Sequence, residues 1–530
     1  MYLTDAPPRE SEIQSGRTAA AAMEQSIAWS TSPLLLLCTL LSLVASLLFL
    51  LHHAHGRKNP TRACKGKLPP GPPTLVFLAK FLVLRRSIFD LGPLLRELHA
   101  RHGPVISIRL FRTLVFVADR RLAHRVLVQG GATFADRPPL FDPGRLFTAG
   151  ERDISSSPYG PYWRLVRRNL AAEALHPARV SLYAPARRAA LDVLVADLLR
   201  ARGGDSSSAV QVRPAFRRAL FQMLVYMSLG ARLGEEVLEE VQDIQMQILR
   251  SITSFPIFSF FPAVTKKLFR RRWESYVAVR RRQDEIFLPL IQARRGNDPP
   301  CYADSVLALR VADEGNRPLT DAEVVSLCSE FLNAGTDTTL TLLEWIMAEL
   351  VNHPDVQAKV HEEVKSRPEL NDGDLEQARY LKAVVLEGLR LHPPAHFLLP
   401  HGVQSDAEIA GYAVPKGAEV NVMHGGFGRD EKVWTAPLEF RPERFLDGGE
   451  GCDVDITGSK EIKMMPFGAG RRMCPGYTLG MLQVEFFVGS LVRELEWLPL
   501  AQGEAVDMTE RLDFTVVMKH SLRARIIPRN

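Results

Sequence analysis

Phe467-Gly468-Ala469-Gly470-Arg471-Arg472-Met473-Cys474-Pro475-Gly476 decides how the chain is read. It fits F-x-x-G-x-R-x-C-x-G at every fixed position, a match that background composition produces on the order of once in several thousand chains this long. A thiolate that binds a metal needs backbone N–H groups aimed at its sulfur, and glycine-rich turns permit that approach. Cys474 has no nearby partner: Cys38, Cys64, Cys301, Cys328, Cys452 and Cys474 are scattered without a C-x-x-C pair, as reduced cytosolic thiols are. One cysteine cannot complete a structural zinc site, which takes four ligands. A single thiolate does suit the axial position of haem iron, where it favours O–O cleavage. A buried inert thiol is the ordinary alternative, and the surrounding pattern outweighs it.

Upstream, Glu387 and Arg390 share a helical face at i,i+3, a pairing that alone reads better as a solvated ion pair. Trp163 and Arg167 lie four apart, which alone also fits an amphipathic surface helix. Thr320-Asp321-Ala322-Glu323 is a capping box. The helix it opens can run to Asn352, before His353-Pro354, and would span roughly 48 Å. At its middle stands Ala334-Gly335-Thr336-Asp337-Thr338-Thr339, poor helix formers in succession. They predict a local break in helical hydrogen bonding, costly inside a core unless it has a use. A polar turn near the surface is the alternative.

Helical patterns dominate between about Tyr162 and Leu391. Strands are expected at Val105–Leu110, Leu114–Ala118, Ala413–Val414, Glu419–Val422 and near the C-terminus. Arg202–Ala209 and Asp447–Gly458 read as surface loops too short to divide domains. The fold class is therefore mainly α with a small β-sheet region, in one domain over residues 74–530.

Ahead of it, residues 33–51 form an uncharged 19-residue run with eleven leucines. Inserting it gains about 4–8 kcal/mol before polar costs, and its length matches a bilayer core. Basic residues follow it (Arg57, Lys58, Arg62, Lys65, Lys67), which argues against a cleaved signal peptide and puts the C-terminal body in the cytosol. Residues 1–32 are then a lumenal extension, with Met1 and Met23 as alternative starts, and residues 52–73 a basic, proline-rich linker. Composition excludes wholesale disorder and disulfide scaffolds: 46% of the 530 residues are hydrophobic and 24% charged. The net charge of +6 suits an anionic membrane or acidic partner better than nucleic acid.

Together these motifs resemble the cytochrome P450 superfamily over nearly the whole chain, most closely plant microsomal A-type members and, through segments 326–339, 266–273 and 522–529, the plant family numbered eighty-nine. The resemblance implies the P450 fold behind a single N-terminal transmembrane helix. It makes Cys474 the axial ligand of haem b iron, with Phe467 shielding the sulfur. Trp163, Arg167, Arg472 and His401 would meet the haem propionates, although many relatives carry arginine at the position of His401. Thr338 would hydrogen-bond bound dioxygen and Asp337 help deliver protons. Glu387, Arg390 and Arg444, the last in a P-E-R-F element, would form a buried structural cluster. Substrate contacts would come from the Phe134–Ser156 loop, Leu332, Phe397–Leu399 and the Phe514–Val516 tip.

No dinucleotide fingerprint, P-loop or flavin domain is found, so electrons must come from a partner. The resemblance implies NADPH–cytochrome P450 reductase, with Arg471 a candidate docking residue. The implied activity is a monooxygenase at the endoplasmic reticulum membrane that uses O2 to oxidise a hydrophobic small molecule. The apolar 254–264 stretch with its basic flank is expected to dip into the bilayer rather than be buried. A haem-thiolate isomerase or dehydratase, or a non-catalytic membrane haem protein, are the alternatives.

Overall fold

The computed structural model describes residues 66–529 apart from 75, 78–90, 111, 204–207, 260 and 295–299. The N-terminal extension, the apolar run 33–51 and most of the linker lie outside the described residues. Among the described residues, no helix is long and apolar enough to cross a membrane. The helices that matter below are α1 (Pro161–Asn169), α2 (Ala184–Arg202), α3 (Val212–Leu229), α4 (Glu235–Thr253), α5 (Arg270–Gln292), α6 (Asp321–Asn352), α7 (Arg379–Leu391) and α8 (Tyr477–Glu494).

α6 is the axis of the molecule. Its cap is reciprocal: Glu323 N–H donates to the Thr320 hydroxyl and Thr320 N–H to the Glu323 carboxylate. Leu343, Ile346 and Leu350 are completely buried and share one core with Phe216 and Leu224 of α3 and Val488 and Leu491 of α8. The break expected at 334–339 does not occur, and the helix is continuous for 32 residues. Thr336 and Thr338 return their hydroxyls to the carbonyls of Leu332 and Ala334, both at 2.7 Å, which satisfies these polar side chains inside the helix. Gly335 is there for packing, since a Cβ would come within 2.9 Å of Leu224 Cδ1 on α3.

The sheet is small, as expected. β1 (Val105–Arg109) and β2 (Thr113–Val117) form a hairpin. β2 pairs in parallel with β4 (Glu419–Val422), and β3 (His401–Gly402) closes the far edge. β5 (Leu495–Leu498) and β8 (Arg523–Pro528) pair antiparallel, as do β6 (Glu510–Leu512) and β7 (Val516–Met518). The turn between β6 and β7 hangs on α6: Trp345 Nε1 donates to the Val516 carbonyl at 2.7 Å, and the Thr341 and Thr515 hydroxyls lie 2.8 Å apart. The described end of the proline-rich stretch lies on β1, where Ser107 donates its N–H to Pro70 and its hydroxyl to Pro69.

α7 carries the expected buried cluster. Arg390 Nε is 2.6 Å from Glu387 Oε2 and Arg444 Nε 3.2 Å from Oε1, all three side chains at most 1% exposed. The Arg441 N–H adds a further bond to Glu387, and Arg390 is completed by the Pro437 and Glu439 carbonyls.

Candidate haem site

The Phe467–Gly476 segment is a tight loop leading into α8. Gly468 and Gly470 both have φ of 71°, a left-handed conformation that a side chain disfavours. At Gly470 a Cβ would also fall 2.0 Å from the Leu127 carbonyl. The Cys474 N–H closes the loop on the Phe467 carbonyl at 2.8 Å. Burial pushes the Cys474 thiol up, while the Gly476 backbone and Arg167 pull it toward the thiolate. The Phe467 ring packs edge-on to Tyr477, the first residue of α8.

Four of the residues picked from the sequence come together beside this loop. Arg472 spans three backbone carbonyls, those of Ala135 (2.7 Å), Ile154 (3.2 Å) and Ser157 (2.6 Å). Its guanidinium lies 4.4 Å from the centre of the Trp163 ring, whose Nε1 donates to the same Ile154 carbonyl. Arg167, one turn along α1, donates to the Met473 carbonyl next to the cysteine. His401 on β3 is buried and its Nδ1–H donates to the Phe134 carbonyl at 2.6 Å. Burial and Arg137 lower its pKa to about 3, so the ring is neutral.

Arg137, which the sequence did not single out, completes the group. It donates to the carbonyls of Ser155 (2.7 Å), Leu399 (3.1 Å) and Pro400 (2.7 Å). Burial and the neighbouring Arg472 push Arg137 down to about 9, and burial pushes Arg472 to about 10. Among the described residues, none of Arg137, Arg167 and Arg472 has a carboxylate in ion-pair contact. Arg472 repels both Arg137 and Arg167, while Asp136, Asp153 and Glu330 lie near but out of ion-pair contact, so the group has no directly paired anion. The carboxylates of a haem fit that deficit, and the lone thiol of Cys474 fits its iron.

The third component is the middle of α6. Ala334 is exposed and Thr338 only partly buried, in a helix whose other faces are covered. Asp337 turns the other way: it is buried, and its Oδ1 accepts from Arg217 Nη2 of α3 at 2.7 Å. Arg217 is a second residue the sequence did not reveal. A third is Glu330, two turns before Thr338, whose carboxylate accepts the Ile154 and Ser155 N–H groups. Leu332 departs from expectation, being fully buried in the core between α6 and its neighbours rather than open to a ligand. Phe397 packs against the first sheet and Leu399 is exposed. In the 254–264 stretch, Phe258 is buried against Trp273 and Tyr276 of α5, whereas Phe261 and Val264 are exposed. That segment is thus buried at Phe258 and exposed at Phe261 and Val264. Arg471 is exposed and bonded to the Tyr159 hydroxyl.

Known proteins place this arrangement. The Cytochrome P450 family model matches residues 69–526. Cytochrome P450 89A9 of Arabidopsis thaliana is 43% identical over 482 residues, 87% of this chain and 94% of that protein. The flavonoid 3'-monooxygenase of Arabidopsis thaliana is 29% identical, over 89% of this chain and 94% of its own. A solved zebra fish cytochrome P450, with progesterone, superposes with a TM-score of 0.69 at 22% identity, covering 86% of this chain and all of that one. With a cysteine loop, a helical body and a family match running through all of it, this chain belongs to the cytochrome P450 family, the haem-thiolate monooxygenases.

Proposed function

We propose that this cytochrome P450 oxidises a hydrophobic small molecule of plant specialised metabolism, drawing electrons from NADPH–cytochrome P450 reductase. The observation that carries the reading is the set of three arginines beside the Cys474 loop that have no carboxylate in ion-pair contact among the described residues. Cys474 Sγ would ligate the haem iron, and Arg137, Arg167, Arg472, Trp163 and His401 would hold its propionates. The haem, when bound, supplies the activation of dioxygen and the insertion of one oxygen atom. Ala334 leaves room on α6 beside it. The Thr338 hydroxyl donates to the Ala334 carbonyl, so its lone pairs are free to accept a hydrogen bond from a ligand or a water. Asp337, the residue before Thr338 and held by Arg217, is the acid assigned to proton delivery at this site. Phe467 shields the sulfur side.

The names of relatives such as flavonoid 3'-monooxygenase and costunolide synthase support an apolar substrate class. The apolar run 33–51 with its basic flank supports a single anchor in the endoplasmic reticulum membrane and a cytosolic catalytic domain over 74–530. Exposed Phe261, Val264 and Leu268, beside Lys266, support contact of this segment with the bilayer. An isomerase or dehydratase needs no proton source, and Asp337 with Thr338 favours the monooxygenase. Turnover of a panel of lipophilic compounds should require both NADPH and reductase. Product formed from a hydroperoxide without either would favour the isomerase.

A further inference from the structure

Residues 153–157 form a short segment with two faces. Its carbonyls face the arginines: Ile154 accepts from Trp163 and Arg472, Ser155 from Arg137, and Ser157 from Arg472. Its N–H groups face the other way, and two of them share one carboxylate, Ile154 N–H on Glu330 Oε2 at 2.8 Å and Ser155 N–H on Oε1 at 2.7 Å. Asp153, also buried, folds back on the Ser156 N–H at 2.8 Å and on its hydroxyl, which fixes the start of the segment. Glu330 sits on α6, a long helix buried over most of its length, so a rigid helix holds the segment that in turn aims the guanidiniums.

We propose that Glu330 is a positioning residue for the haem, which it never needs to touch: it fixes residues 154–157 and through their carbonyls sets Arg137, Arg472 and Trp163 against the propionates. The proposal rests on the haem-thiolate reading above. Both carboxylate oxygens are occupied by the backbone, so Glu330 is not free to bind a substrate cation or to ferry protons. Burial and the nearby Asp153 carboxyl raise its pKa, and the two amide bonds offset that only in part. Glutamine at this position would turn an N–H group toward one of the two donors and leave that donor unpaired.

The test is the rate at which ferric holoenzyme gives up haem to excess apomyoglobin, for wild type, Glu330→Gln and Glu344→Gln. Glu344 is a buried carboxylate of the same helix, bonded to Arg213 and Ser521 far along the chain from this segment, so it controls for damage to α6 in general. Expected is haem loss about tenfold faster in Glu330→Gln, the scale of one hydrogen bond to a charged group, with a wild-type rate in Glu344→Gln. Amide hydrogen exchange supplies the second reading. The Ile154 and Ser155 amides of wild-type holoenzyme should be slow, and Glu330→Gln should release them. An unchanged rate in Glu330→Gln, or equal acceleration in Glu344→Gln, would overturn the proposal. Should Glu330→Gln not fold, fast exchange of those two amides in wild type would overturn it alone. A thiolate-type spectrum in all three proteins separates failure of this role from failure of the haem reading, since wild-type protein that takes up no haem would sink both.

Discussion

Two clusters of arginine in this molecule, one fully buried and one half-buried, differ in charge balance. Around Glu387, the carboxylate meets Arg390, Arg444 and the Arg441 N–H, and the guanidiniums' remaining donors end on carbonyls and on Glu450. Beside Cys474, Arg137, Arg167 and Arg472 end on carbonyls alone. The first cluster is electrically closed and serves the fold. The second, left open, has no carboxylate in ion-pair contact among the described residues, and under the proposed function the haem propionates would complete it.

Breaking the closed cluster should have the largest effect. Glu387→Ala strands two buried guanidiniums, and the expected loss is about 3–5 kcal/mol, enough to leave little folded protein in a urea titration. Removing an arginine from the open cluster should act on the ligand instead. Arg472→Gln is expected to hasten haem loss roughly ten- to a hundredfold while shifting the urea midpoint of the apoprotein much less than Glu387→Ala does. Equal apoprotein damage in the two variants would erase the distinction.

Thr338→Ala touches neither cluster and sharpens the comparison from the other side of the site. Haem content and spectrum should stay as in wild type, while product formed per NADPH consumed should fall severalfold or more, because the hydroxyl that would hold a ligand or water in the proton path is lost. An unchanged ratio would remove Thr338 from the proton path. The smallest effect is one of pH. Burial lowers His401 and His424 to about 3 from 6.5, so both are neutral in the fold and bind protons only after unfolding. Each therefore contributes stability that is full above about pH 6.5 and is lost as pH falls toward 3, about 0.7 kcal/mol apiece between pH 7 and 6. His424→Gln should flatten the acid side of the apoprotein's urea midpoint. Haem should soften the His401 share alone, since only that ring belongs to the open cluster.

What the sequence discloses follows the range of the interaction. The capping box, the strand at 419–422 and the Cys474 loop are written in contiguous residues, and all stand where the local pattern puts them. The helix break at 334–339 was a propensity argument, and tertiary packing on α3 together with hydroxyl-to-carbonyl bonds overrides it. Arg137 and Glu330 escaped because each acts across the fold. Glu330 meets Ile154 from 176 positions away, and Arg137 reaches Pro400 across 263. One arginine among 66 basic residues carries no local mark of its duty. An acid inside the apolar stretch of α6 does carry a mark, and Glu330 could have been singled out for it.

The central claim is that Cys474 ligates haem iron, and the most direct measurement is the reduced, carbon-monoxide-bound difference spectrum of the wild-type protein beside Cys474→His. Expected is a red-shifted thiolate-type Soret band in wild type that vanishes in the variant. A histidine-type band, or no haem signal at all, in well-folded wild-type protein would contradict the claim.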